Sequence, residues 1–571
     1  MIKKLSLEIP KETNTYVDAL FAVGTASLLK EIYGDTGEPS IKDRGNSFVV
    51  EVDCPNGFEQ LNEFQRVSAG YPFVKQKENE EMPIGIEIVF DYPQQRKIEE
   101  IWINFRKETG KKKSKITVNS RNIGIEQPSE PDIDLRLHKI MASMRKGWKS
   151  DKEFYRFLID NREITTKAAI NHLKNMARIP IEYSEDESNL QKVVTGCQVL
   201  MPVGGKGVNR SKPDSTGKAG FPLEFLDWFS EWMKYRGMYK ALLAYRNGKD
   251  FKFYVIVPED ISYTALGKIR DELFKENLWG GIKLDIQAIL ALAQILISHS
   301  KEYDPKRGIF SILKRPPNKI IAGLSQAYFQ SMGTAAALMN YSFLGLPGWF
   351  DIEDTETAVE FWNVLEEHKI CIRSLNETHS DDIPLLEKYR QFLSSGDYEI
   401  FLEFLSIYGS YIMRNREQGN MWIKQFTVHN LRRLFDMNQD YSEIVSNEGF
   451  LNLATAVRKA TVSAQYRKAQ GTRIWDIKYG LAQDWKRVVQ QPDKLVAAIS
   501  DFVQQYNAEN ARHAEQSKER RSNITTRDLD HVLDLIKKRG SYLVGMLLLA
   551  YGYARESKDE EDISEKEGEK Q

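Results

Sequence analysis

Cysteine is scarce: Cys54, Cys197 and Cys371 stand far apart in 571 residues, with no CxxC pair among them. That excludes a disulfide framework and a cysteine-rich zinc site, and it suits a reducing compartment. Long apolar runs are also missing. The most apolar helix candidate, 282–297, is interrupted by Lys283, Asp285, Gln287 and Gln294 and reads as a core helix rather than a membrane span. The opening MIKKLSLEIP reads as a strand, with no apolar h-region behind it as a signal peptide would have. Excess charge is absent too: 80 Lys and Arg against 81 Asp and Glu give a formal net charge of -1. A histone-like coat for nucleic acid is thereby excluded, but local basic surfaces are not, because the charge is segregated along the chain. The expectation is a soluble, cytoplasmic protein without membrane contact.

Catalytic signatures are missing as well. The eight histidines are scattered, none in an HExxH arrangement and none followed directly by Asp. Glu366-Glu367-His368 reads as surface charge or a helix C-terminal cap. Asp381-Asp382 and Asp436/Asp440 lack companions that would hold a metal pair. The stretch VGGKGVNRSKPDSTGKAG, 203–220, invites a phosphate-loop reading that its spacing rejects. The residue five before Gly217 is Lys212, and Ala219 stands where Ser or Thr is required. No cofactor, no metal and no catalytic residue is expected, and the chain reads as non-catalytic. A nuclease or NTPase with an unrecognised active site, and a protein-binding helical scaffold, are the competing readings.

What is present begins with a mixed region. Strand patterns at 3–9, 47–53 and 84–90 alternate with helical ones at 16–33 and 98–105. Helices follow at 131–146, 152–161 and 165–176. The aromatic stripe of FPLEFLDWFSEWMKYRGMY reads as core. Asn247-Gly248 joins strands 242–245 and 251–257, with a bulge or longer turn expected between them. From 262 onward every strong pattern reads as helical: 263–276, 284–299, 319–343, 355–368 and 384–393. The fold class is thus an α+β N-terminal region, a mainly α-helical middle and an all-α C-terminal helical bundle. The expected domains are a body at 1–395, a bundle at 396–556 beginning after Ser394-Ser395-Gly396, and a disordered charged tail at 557–571.

Two loops and one helical stretch carry concentrated positive charge. RKETGKKKSKITVNSRN, 106–122, groups Lys111, Lys112, Lys113 and Lys115 and ends in Asn119, Arg121 and Asn122. A solvated turn explains the lysines; so does a basic finger that meets a phosphate backbone while Asn and Arg read base edges. The 203–220 loop brings Lys206, Asn209, Arg210, Lys212 and Lys218 among glycines whose amides can approach an anion. A plain surface loop is the alternative.

The stretch at 447–512 places Leu453, Ala456, Val457, Ala460 and Ala464 on one helical face, with Arg458, Lys459, Gln465 and Tyr466 pointing elsewhere. Arg467, Lys468, Arg473, Lys478, Lys486 and Arg487 follow, past a glycine-containing joint. Cations beside Tyr and Gln suit a phosphate-and-base surface, and the same pattern describes an ordinary amphipathic helix with a solvated face.

The segments GFLNLATAVRKATVSAQYRKAQG, YGLAQDW, FVQQYNAENAR and LLLAYGYARE, spread over 450–556, resemble the end of a large subunit of type I CRISPR Cascade complexes. In that family this end looks like the separate small subunit. Some relatives carry CxxC pairs and this chain has none, so no zinc site carries over.

The resemblance implies a non-catalytic subunit that reads a short protospacer-adjacent motif in duplex DNA and helps to open it. It further implies that the subunit holds the target and displaced strands of the R-loop. The partners it implies are crRNA-containing backbone subunits, target double-stranded DNA and the displaced single strand. Small subunits are implied too, which an internal start at Met413, Met421 or Met437 of this chain would supply, along with a helicase–nuclease or a transposition adaptor. By chemistry the bundle cations would hold strands, and the Asn- and Arg-bearing loops would read the motif.

Overall fold

The computed structural model describes residues 3–54, 58–113, 127–143, 147–181, 187, 190, 227–276, 278–299, 317–331, 336–349, 352, 354–472, 474–516 and 520–556. The chain forms two compact units, Met1–Trp279 with Asn318–Gly345, and Gly280–Pro317 with Leu346–Gln571. The expected division at 395/396 is therefore not where compactness divides the chain. Helices Ile282–Ser298, Thr355–Arg373 and Ile383–Ser395 belong with the C-terminal run.

The first unit mixes helices and strands. Strands β1 (Lys3–Pro10), β2 (Ser40–Asp43) and β3 (Ser47–Cys54) come first; β4 (Phe73–Lys75) and β5 (Val89–Asp91) form a small parallel pair. Further on lie β6 (Leu242–Asn247), β7 (Asp250–Pro258), β8 (Asp260–Ser262), β9 (Ile321–Ser331) and β10 (Ala336–Gly345). Two antiparallel sheets result, ordered β1-β3-β2-β8 and β10-β9-β7-β6. In β1 the period of two is explicit: Leu5, Leu7 and Ile9 are buried, while Lys4, Ser6 and Glu8 face out.

Helix Tyr16–Tyr33 starts at Thr15, whose side chain and Asp18 close a capping box. It packs on helix Trp228–Ala241 at unusually close range. A Cβ on Gly24 would lie 1.8 Å from the Met233 carbonyl oxygen, and one on Gly237 would lie 2.0 Å from that of Leu20, so only glycine permits this crossing. The buried Arg236 crosses the same junction, bonding to Glu31 at 2.7 Å and to the Ser68 carbonyl at 3.1 Å. Trp228 and Trp232 are core, as the aromatic stripe implied.

Three local expectations need correction. The helix expected at 319–343 is instead two paired strands, β9 and β10, over the described residues 321–331 and 336–343. Their alanines, leucines and glutamines favour a helix locally, and pairing of β9 to β7 overrides that preference. The β6–β7 connection carries no extra residue: Asn247 pairs with Asp250 across a two-residue loop, with Gly248 at φ +62°, where a type II′ hairpin places glycine. Of the expected strand at 84–90, only Val89 and Phe90 are in β5.

In the second unit, helices follow one another along the described residues of 354–556. Helix Ser541–Gly552 is its axis, with its last nine residues buried. Around it pack helices Tyr398–Glu417, Glu448–Ala460, Leu481–Val488, Pro492–Gln516 and Thr526–Arg539. An all-round apolar helix needs such a sheath to stay in water. Just past the axial helix, backbone pairing ties down Arg555, the Val428 amide donating to the Arg555 carbonyl and the Arg555 amide to that of Phe426, each at 2.9 Å.

Glu367 and His368 correct the surface expectation for that cluster. His368 is fully buried among Trp349, Phe401 and Phe426, sharing a 2.6 Å hydrogen bond with the Tyr389 hydroxyl. Burial pushes its imidazole down to about 3. Burial pushes the neighbouring Glu367 carboxyl up to about 7, and that carboxyl accepts the Thr427 amide at 2.9 Å.

Candidate nucleic-acid surface

Of the motif-reading candidates, Lys111, Lys112 and Lys113 end helix Tyr92–Lys113. Lys115, Asn119 and Arg121 of the first loop lie outside the described residues, as do Lys206, Asn209, Arg210, Lys212 and Lys218 of the second and Arg473 of the joint. The bundle cations can be placed individually.

The long pattern that begins at Asn447 is two helices. Asn447 caps the first, Glu448–Ala460, its side chain accepting the Phe450 amide at 3.1 Å. Thr461 then leaves helical geometry (φ −123°, ψ −97°), and helix Val462–Ala469 starts on a new axis. The buried Thr461 hydroxyl donates to the Val457 carbonyl at 2.7 Å and reaches that of Gly552 at 3.3 Å, fixing the break against the axial helix.

This break separates two kinds of cation. Arg458, before it, is buried: its guanidinium pairs with Glu556 and donates to the Tyr551 carbonyl at 3.1 Å. That arginine caps the end of helix Ser541–Gly552 and is not available to a strand, which corrects its place in the expected surface. Lys459 is half-buried. Burial pushes its amine below the usual lysine range, with Glu556 opposing and Arg458, Arg521 and Arg467 adding to the effect. Gln465, also expected to point outward, is buried and donates to the Met413 carbonyl at 2.7 Å.

Beyond the break, Tyr466, Arg467 and Lys468 are exposed. Lys468 pairs with Glu417 and lies 3.3 Å from the Tyr479 hydroxyl, which in turn donates to Glu417 at 2.8 Å. The hydrogen bond to Glu417 holds the Lys468 amine above its ordinary range, and Lys468 holds the Glu417 carboxyl below its own. Lys478 donates to Gln505 at 2.9 Å, and its backbone amide reaches the Ala460 carbonyl at 2.8 Å. Lys486 bonds to Ser406 and Arg487 to Asp484.

The described residues 474–480 of the joint are pinned rather than loose. Trp475 and Tyr506 sandwich the Arg521 guanidinium, 4.0 Å from each ring, and the Asp476 amide donates to Glu509 at 2.6 Å. Arg467, Lys468 and Lys478 are thus presented from fixed backbone, which lowers the ordering cost of binding an anionic strand.

Sequence reasoning passed over Tyr479, Trp422 and Glu417. Tyr479 sits ten residues past the helix that holds its partner Lys468. Trp422 lies on an irregular segment with no periodicity to betray its exposure. Among the described residues no group of three or more His, Cys, Asp or Glu is placed to hold a metal ion. No described helix is long and apolar enough to cross a membrane. Comparison with protein-family models and with curated proteins returns no match for this chain.

Proposed function

We propose that the chain is a non-catalytic nucleic-acid-binding subunit of a crRNA-guided type I CRISPR Cascade complex, acting in the cytoplasm. In this reading it recognises a protospacer-adjacent motif, promotes duplex opening, stabilises the R-loop strands and helps to recruit the effector nuclease or transposition machinery. The observation that carries it is the exposed cationic face of helix Val462–Ala469 and the pinned segment 474–480, on the part of the chain whose sequence resembles that family. R-loop formation is a nearly balanced exchange of duplexes, so a few strand contacts suffice to tip it. The basic segments at 106–122 and 203–220 are the proposed motif readers, and the bundle cations are the proposed strand holders.

The test is reconstitution with a guide RNA and backbone subunits, followed by chemical probing of unpaired bases in a target duplex. Opening that depends on this chain and on a short flanking motif supports the reading. Opening without the chain, or equal opening on targets with every flanking sequence, refutes it.

A further inference from the structure

The geometry points to a stacking platform for single-stranded DNA in the helical unit. Trp422, Tyr466 and Tyr479 supply the ring faces, and Glu417 holds Lys468 until a strand phosphate displaces it. This rests on the strand-holding part of the reading above and adds how the strand is held.

The three rings are 81%, 49% and 42% exposed. Singly exposed aromatics need no explanation, but these share one support. The segment bearing Trp422 folds back on the end of helix Tyr398–Glu417: the Trp422 amide donates to Asn420 at 3.2 Å, and the Asn420 amide donates to the Asn415 carbonyl at 2.9 Å. Helix Val462–Ala469, bearing Tyr466, is fixed to the same turns through Gln465 and the Met413 carbonyl. Tyr479 is tied to Glu417 of that turn, and the Lys468 amine sits 5.8 Å from its ring centroid.

Exposed rings interleaved with Lys424, Arg467 and Lys468 match a strand that offers base faces and phosphates alternately. An apolar protein partner would offer those cations no further anion. Glu417 is bonded to both Lys468 and Tyr479 of this group. Since it already occupies Lys468, strand entry exchanges a carboxylate for a phosphate at that amine.

The experiment uses the full-length chain and a labelled oligo(dT) of about 15 nucleotides, titrated at about 50 and 200 mM salt. Oligo(rU) and duplex DNA are run beside it. Replacing Trp422, Tyr466 and Tyr479 together by Ala is expected to weaken oligo(dT) binding at least 10-fold, at about 5- to 100-fold per engaged ring, while the Phe replacements retain it. Glu417→Gln is expected to tighten binding about 1.5- to 5-fold and to steepen the salt slope by about 0.7. Iododeoxyuridine oligonucleotides should photocrosslink to peptides containing these rings in the unsubstituted chain, a readout independent of how the variants fold.

Unchanged affinity in the Ala variant, crosslinks only elsewhere, or tighter binding to oligo(rU) or duplex than to oligo(dT) would overturn the platform. Binding through these rings together with failure of the reconstituted complex to open duplex would leave the platform standing and sink the Cascade reading. Motif-dependent opening with no ring-dependent binding would do the reverse.

Discussion

Helices Glu448–Ala460 and Val462–Ala469 are consecutive, similarly composed, and use their cations in opposite ways. In the first, Arg458 is spent on Glu556 and a buried carbonyl, and it closes the axial helix of the bundle. In the second, Arg467 and Lys468 stay at the surface beside exposed tyrosines. The one residue between them, Thr461, resets the helix axis and with it which side of the pattern faces the core. Basic residues a few positions apart therefore belong to stability and to binding respectively, and substitutions should separate the two.

The largest effect is expected at Arg458. Arg458→Ala leaves Glu556 without its partner and a buried carbonyl without its donor, and should cost about 3 to 5 kcal/mol. Hydrogen exchange at the amides of helix Ser541–Gly552 would report it locally, which matters because a two-unit chain need not unfold in one step.

Next comes Glu367. Its carboxyl is raised from 4.5 to about 7, so unfolding releases a proton between those values and stability falls as pH rises through that window. His368, lowered from 6.5 to about 3, acts oppositely: stability falls as pH drops below 6.5. The two slopes cancel between about 4.5 and 6.5. Glu367→Gln should remove the plateau, leaving this pair's contribution to rise up to pH 6.5 and then stay flat, with a gain on the order of 3 kcal/mol at pH 8. Denaturant midpoints measured across pH would show whether the plateau exists.

Thr461→Ala should cost about 1 to 2 kcal/mol through two lost hydroxyl contacts, read as a lower urea midpoint. The smallest stability effect belongs to the exposed pair: Arg467→Ala and Lys468→Ala should each stay within about 0.5 kcal/mol of the parent in the same assay. If these two destabilise as much as Arg458→Ala, the contrast between the helices is false.

Much of the fold was legible where local chemistry and tertiary context agree. Helix Tyr16–Tyr33 is marked by Thr15, Asp18 and the closing Gly34, and helix Thr526–Arg539 by Thr525 and Asp528. The buried face of Leu453, Ala456, Val457 and Ala460 follows from helical spacing, whereas Ala464, expected on the same face, is buried from the separate helix past Thr461. Legibility failed where distant pairing decides. β9 and β10 contain good helix formers that a neighbouring strand recruits, and β2 and β8 are too short to leave a periodic trace. Arg458 looks solvated on a helical wheel because its partners arrive from residues 551 and 556. Glu367 and His368 look like surface charge because the aromatic shell around them comes from residues 349, 389, 401 and 426. For the site, spacing pointed to Arg467 and Lys468 but not to Tyr479, which only the pinned joint brings to them.

The most direct test of strand holding by the second helix is the salt dependence of target-strand affinity in the assembled guide complex. Wild type should be compared with the Arg467→Ala, Lys468→Ala double variant. The slope of log affinity against log salt should become shallower by about 1 to 1.5, with the unfolding midpoint unchanged. An identical slope and affinity in a variant that is folded and assembled would contradict the account.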